Sequence, residues 1–276
     1  MTSTGTILAV IVALPIAVLA IVLLRRRSRA ARRARLMKLP FPDEWRAILE
    51  QNLPPYDRLP PELQERLHGR IHVFLAEKNF EGCGGLALTD EIRVTIAAQA
   101  CLLLLNRKPS FYPKLDSVLV YPSAYVAGAK GVFGRQRNEE SVRLGESWHT
   151  GAVVLSWNDV KRGASDPRDG HNVTYHEFAH QLDQEDGSAD GTPVLDHVSR
   201  YSTWAEILEA EYQDLTRRTR RGRESVLDQY GATNRAEFFA VATETFFEKP
   251  AQLKAKHPEL YEELSEYYKL NPEEWQ

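Results

Sequence analysis

The sequence predicts an α+β fold. Two short runs rich in β-branched and aromatic residues, Ser117 to Tyr121 (SVLVY) and Gly151 to Trp157 (GAVVLSW), lie between turn residues in the middle of the 276-residue chain and read as strands. On both sides of them apolar residues recur at helical spacing, and central strands flanked by helices are the pattern of a sheet covered by helical layers. At 43% hydrophobic and 26% charged residues the chain has the composition of a globular protein able to bury a core, and not that of a disordered, collagenous or disulfide-stapled one.

The N-terminus departs from this pattern. Ile7 to Leu24 (ILAVIVALPIAVLAIVLL) carries no charged or polar side chain over eighteen residues, close to the ~20 that cross a bilayer as a helix. A basic run follows it: Arg25, Arg26, Arg27, Arg29, Arg32, Arg33, Arg35 and Lys38. A cleaved signal peptide would carry its basic residues before the apolar run. The observed order predicts a single transmembrane helix with the N-terminus outside and the rest of the chain in the cytoplasm, at the inner membrane. The arginines also suit anionic lipid headgroups. The formal net charge is −3 despite this run, so the remainder is acidic and no direct nucleic-acid binding is expected of it. Two cysteines, Cys83 and Cys101, without a C-x-x-C partner, fit a reducing compartment and simple packing roles.

A proline-rich stretch from Leu39 to Pro61 holds a short helical segment over Asp43 to Gln51. Pro60-Pro61 opens a helix reaching Lys78, with Leu63, Leu67, Ile71, Phe74 and Leu75 on its apolar face. Thr89 caps the next helix, which runs to about Leu105, carries Asp90 and Glu91 in its first turn and is apolar nearly all round, as a central core helix is. After the two strands, helices are expected at about Val173 to Asp183, Tyr201 to Thr219, Arg235 to Phe247 and Pro258 to Tyr268.

The first of these carries His176-Glu177-Phe178-Ala179-His180, an H-E-x-x-H motif. Residues four apart share a helix face, so both imidazoles reach one ion while Glu177 points toward a water on it. Zinc accepts this set, and three protein ligands leave a fourth position for a water whose pKa falls to about 7. Glu177 then serves as the base that takes the proton and later returns it to the leaving amine. Asn172 or Thr174 can cap this helix, and Val173, Tyr175, Phe178, Ala179 and Leu182 make it a buried one.

The third ligand is open on spacing alone. A metzincin arrangement places it at Asp186, but needs glycine where Asp183 stands and a downstream methionine turn, and the methionines are Met1 and Met37. The alternative is a glutamate from a later helix. Glu237 and Glu244 qualify, seven residues apart on one face of an apolar helix where a bare carboxylate is costly. One can bind the metal while the other orients a histidine.

Five segments, Val120-Tyr121-Pro122, Gly145-Glu146-Ser147-Trp148, Val153-Val154-Leu155-Ser156-Trp157, His176 to Asp183 and Ala236-Glu237-Phe238-Phe239-Ala240-Val241, together resemble the MtfA (Mlc titration factor A) family of bacterial zinc-dependent peptidases. The resemblance runs from about Trp45 to the C-terminus. It implies a zincin-like domain similar to the catalytic domain of anthrax lethal factor, one Zn2+ per chain and Glu237 as third ligand. It also implies a catalytic role for Tyr230 as an oxyanion stabiliser, beside the alternative of a plain core tyrosine. The expected organisation is then residues 1–24 as tail and transmembrane helix, 25–44 as basic juxtamembrane segment and linker, and 45–276 as the zinc metallopeptidase domain.

The activity expected is hydrolysis of peptide bonds by Glu-assisted attack of a zinc-bound water on a peptide or protein substrate, with aminopeptidase and endopeptidase action both open. A membrane-tethered regulatory protein that sequesters a transcription regulator with little turnover is the alternative. The strand Gly151 to Trp157, ahead of the metal helix, is a candidate for pairing with extended substrate. The acidic loop Asp183 to Pro193, with Asp183, Glu185, Asp186 and Asp190, lacks EF-hand spacing and reads as solvated. His149, His171 and His197 are read as structural.

Overall fold

The computed structural model describes residues 3–107, 110–123 and 151–275, with side chains from residue 18 onward. The chain divides into two compact units, Met1–Pro40 and Phe41–Gln276. The first is one helix, α1 (Ser3–Leu36). It does not stop after the apolar run but continues through the basic residues expected as a juxtamembrane segment, since alanines and arginines are strong helix formers. No helix is long and apolar enough to cross a membrane among the described residues. Most of the apolar run on which the anchor expectation rests lies outside the described side chains.

The second unit opens with α2 (Asp43–Asn52) and α3 (Pro61–Glu77), the latter with proline in its first turn. Strand β1 (Asn79–Gly82) follows, then α4 (Asp90–Leu104), β2 (Ser117–Tyr121) and β3 (Ala152–Ser156). The Thr89 hydroxyl caps α4, accepting the Ile92 N–H at 3.3 Å. The sheet is parallel throughout in the order β1-β2-β3, with Val118 opposite Val153 and Val120 opposite Leu155.

Two features differ from expectation here. Strand β1 carries a single large apolar side chain, Phe80, in a four-residue edge strand, which gives too short an alternation to register as sequence pattern. The expected strand through Trp157 ends at Ser156, whose side chain accepts the Asp159 N–H and starts a further helix, α5 (Trp157–Ser165).

Helices α6 (Val173–Asp183), α7 (Tyr201–Arg220), α8 (Arg235–Glu248), α9 (Pro250–Lys256) and α10 (Pro258–Tyr268) complete the unit. The core is built around α4, buried almost along its length and packed on α2, α3 and α6. Phe178 joins α6 to this core, its ring 5.7 Å from that of Phe74 and 4.9 Å from that of Tyr112. On another face α6 lies along α8, whose Phe238, Phe239 and Phe246 are buried against α7, α10 and their neighbours. Both helices that carry the candidate ligands are thus immobilised by aromatic packing, and together they position the site.

Candidate metal centre

Helix α6 begins at Asn172, whose side-chain oxygen accepts the Tyr175 N–H at 3.0 Å. Helix α8 begins the same way: Asn234 accepts the Glu237 N–H at 2.9 Å. These caps satisfy first-turn amides that would otherwise lack partners. They also fix where His176 and Glu237 stand, four and three residues into the two helices.

The structure brings His176, His180 and Glu237 together as a group able to hold a metal ion. His176 Nε2 lies 3.0 Å from Glu237 Oε2, His180 Nε2 lies 3.4 Å from the same oxygen, and the two Nε2 atoms are 3.2 Å apart. A tetrahedral ion with bonds of about 2.0–2.1 Å needs donor atoms about 3.3 Å apart. The donor set, two imidazole nitrogens and one carboxylate oxygen, is one that zinc takes, so residues and spacing both fit this ion.

The other ring nitrogen of His176 is occupied. Glu244 Oε1 accepts from Nδ1 at 2.7 Å, which fixes the tautomer that leaves Nε2 toward the cluster. Glu244 Oε2 meanwhile accepts the Asn172 N–H at 2.6 Å. The spacing of seven residues therefore brings both candidate glutamates to the His176 ring, Glu237 at Nε2, where the three side chains converge, and Glu244 at Nδ1 behind it.

The field of the site favours a central cation. Burial works to lower the basicity of His176, yet the Glu244 and Glu237 carboxylates hold its pKa well above the usual histidine range. Burial works to raise the Glu237 pKa, and the hydrogen bonds of His176 and His180 overturn it, so that carboxyl stays ionised. Burial lowers His180. Glu177, 8% exposed, is pushed up to about 7 by burial.

Tyr230 is on a 3-10 turn, Gln229–Ala232, that the Asp228 side chain caps by accepting the Tyr230 N–H at 2.7 Å. Its ring centroid is 5.9 Å from that of His176, and its side chain is partly exposed. Partial burial, then the carboxylates of Glu237, Glu177 and Glu244, push its hydroxyl up to about 12, so it is a proton donor at neutral pH. Gly231 permits this placement: a Cβ there would meet Leu215 at 3.1 Å and Val241 at 3.2 Å.

The remaining candidates lie elsewhere. His171 and His197 are exposed, and His171 Nε2 is 3.6 Å from Asp228 Oδ2. His149 and the segment Gly145 to Trp148 lie outside the described residues. In the acidic loop Asp186 accepts the Ser188 N–H and Asp190 the Thr192 N–H, so these carboxylates serve the loop's own turns. No second metal-binding group is found among the described residues. Sequence reasoning missed Glu248, buried at the end of α8, although it continues the Glu237 and Glu244 stripe by a further four residues.

Residues 25–269 match the family described as glucose-regulated metallo-peptidase M90, a span that starts after the apolar N-terminal run. An uncharacterized protein of Synechocystis sp. is 44% identical over 87% of this chain and 89% of its own length. The Mlc titration factor A of Serratia proteamaculans is 31% identical over 83% of this chain and 87% of its own length. That of Klebsiella pneumoniae is also 31% identical, over 80% and 84%. With nearly the whole of its second unit matched and a histidine–glutamate cluster suited to zinc at its centre, this chain belongs to the M90 family of metallo-peptidases.

Proposed function

We propose that the protein is a zinc-dependent peptidase in which His176, His180 and Glu237 hold one Zn2+ and Glu177 is the catalytic base. The observation that carries this reading is the convergence of those three side chains at the edge lengths of a tetrahedral site. When bound there, zinc supplies Lewis-acid polarisation of the scissile carbonyl and a lowered pKa for water. Glu177 accepts the proton of the attacking water and delivers it to the leaving amine. Tyr230 donates its phenolic hydrogen to the oxyanion that develops. The outer edge of β3, which pairs only with β2 among the described residues, binds extended substrate through its backbone. A likeness to the lethal factor catalytic domain and aminopeptidase or endopeptidase specificity belong to the same reading.

Elemental analysis and hydrolysis of chromogenic amino-acid and peptide substrates test it on the full-length chain in mild detergent. About one zinc per chain is expected in both the unmodified protein and Glu177→Gln, with hydrolysis lower by roughly 10²–10⁴-fold in the variant. Equal hydrolysis by the two would remove Glu177 from the chemistry.

A second reading is favoured by the names of the relatives, Mlc titration factor A: a regulatory protein that sequesters a transcription regulator with little turnover. Zinc in both proteins without hydrolysis in either supports it. In both readings residues 7–24 anchor the chain in the inner membrane, with the second unit in the cytoplasm and the arginines of α1 against anionic lipid. Deleting residues 1–38 is expected to move the protein from the membrane to the soluble fraction of lysed cells; an unchanged distribution rules the anchor out.

A further inference from the structure

The loop after α6 is solvated along its middle, but its two ends are not: Asp183 and Gly191 are both buried, Asp183 completely. Asp183 is the last residue of α6, three beyond His180, and its Oδ2 accepts the Gly191 N–H at 3.0 Å, which closes the loop at its base. The Gly191 carbonyl accepts the Nε1–H of Trp204, on α7, at 3.1 Å. The remaining side of Gly191 lies on α8. A Cβ there would come 2.4 Å from the Arg235 carbonyl oxygen and 2.8 Å from its carbon, and the φ of +81° is one that glycine adopts without strain. Arg235 is the first residue of α8 and stands two before Glu237.

One residue thus joins three helices, and it links the end of one ligand helix to the start of the other. At the far end of the pair the Asn172 N–H ties the start of α6 to Glu244, so the two helices run in opposite senses and are fastened at both ends. Asp183 differs from the exposed carboxylates of the same loop. Asp186 and Asp190 each accept an N–H two residues on, whereas Asp183 reaches eight residues on, to the residue that bears on α8. A carboxyl is costly to bury completely, and this one is placed where its single long-range bond decides how the loop base meets the neighbouring helix. Trp204 holds Gly191 from the other side and is itself buried, its ring 5.8 Å from that of Phe239 on α8.

We propose that Asp183 and Gly191 are positioning residues for the metal site: their hydrogen bond seats Gly191 on the first turn of α8 and so fixes Glu237 relative to His180. The inference rests on the reading of His176, His180 and Glu237 as metal ligands, and neither Asp183 nor Gly191 is itself one of them. Zinc sites hold their ligand distances to within about 0.2 Å, so a small shift of that first turn against the end of α6 is felt at the ion. Glu244 holds the His176 ring and the start of α6 independently of this clasp. Loss of the clasp therefore falls on the carboxylate ligand, while both imidazoles stay.

The test measures zinc affinity of the full-length protein by competition with a chromophoric chelator, alongside the melting temperature of the zinc-free form. Asp183→Leu removes the acceptor at similar bulk, and affinity is expected to fall about 10–100-fold. Asp183→Asn keeps an oxygen for the Gly191 N–H and is expected to bind zinc nearly as the unmodified protein does. X-ray absorption of zinc-loaded Asp183→Leu is expected to show two imidazoles retained and the oxygen shell altered. Trp204→Phe keeps a ring but withdraws the donor that holds the Gly191 carbonyl; it is expected to weaken zinc several-fold, which keeps the test decisive if Asp183→Leu does not fold. Unchanged affinity in a folded Asp183→Leu or Trp204→Phe variant overturns the clasp, as does loss of an imidazole in place of the carboxylate. An Asp183→Asn variant that melts normally yet binds zinc as weakly as Asp183→Leu overturns it too. Absence of zinc from the unmodified chain would instead overturn the ligand reading, and the clasp with it.

Discussion

The molecule carries two groups of carboxylates around helix α6, and only one of them is built for a metal. The loop after α6 holds Glu185, Asp186 and Asp190, close in sequence and mostly exposed; Asp186 and Asp190 are turned back onto the loop's own N–H groups, and Glu185 onto the Ser110 hydroxyl. The stripe on α8, Glu237, Glu244 and Glu248, spans three helical turns and is largely buried, and Glu237 and Glu244 are aimed at α6 and its cap. Density of acidic residues is greater in the loop, yet the loop can satisfy itself. The stripe cannot: its carboxylates are desolvated on a rigid helix, and their partners are on another. A cation site here arises from acidic groups that local backbone cannot neutralise.

The largest effect expected from this difference is on metal content. Glu237→Ala is predicted to lose zinc entirely on dialysis, while replacing Glu185, Asp186 and Asp190 together by their amides leaves about one zinc per chain; elemental analysis distinguishes the two. Loss of zinc from the loop variant would break the comparison. A smaller effect is predicted for Glu244→Gln, which keeps an acceptor for His176 Nδ1 but removes its charge: affinity for zinc weakens by about 10–100-fold. Chelator competition measures it, and an unchanged affinity would reduce Glu244 to a packing role.

The smallest effect is one of pH. Asp183, at the end of α6, and Glu248, at the end of α8, are both held above their ordinary values by burial, Asp183 to about 7 and Glu248 to about 9. The folded state thus keeps protons that the unfolded chain releases near pH 4, so their contribution to stability is fully present below that pH and is lost as pH rises through about 7 and then about 9. Melting curves between pH 5 and pH 10 should show Asp183→Asn flattening the lower part of this decline and Glu248→Gln the upper part. Parallel curves for both variants and the unmodified protein would contradict it.

Much of this was legible in the residues. The helix bearing His176 and His180 is bounded by a capping asparagine and an apolar pattern strong enough to place it at Val173–Asp183, and α10 is equally well marked by proline at its start. Strand β1 was not legible, because four residues with one large apolar side chain carry no period. Helix α5 was hidden for a related reason: Ser156 is read as the tail of a strand when it is the cap of the next helix. At the site, the spacing of Glu237 and Glu244 announced two roles but not their assignment, which depends on how α8 lies across α6. The tie from the Asn172 N–H to Glu244, and the close approach of Gly163 to Asn172, are a matter of three helices meeting and leave no motif.

X-ray absorption at the zinc edge of the full-length protein addresses the central claim most directly. The account predicts a four-coordinate ion with two imidazole ligands and oxygen donors at about 2.0–2.1 Å, falling to a different coordination in Glu237→Ala reloaded with zinc. A spectrum with fewer than two imidazoles, or one that Glu237→Ala leaves unchanged, would show that His176, His180 and Glu237 are not the ligand set.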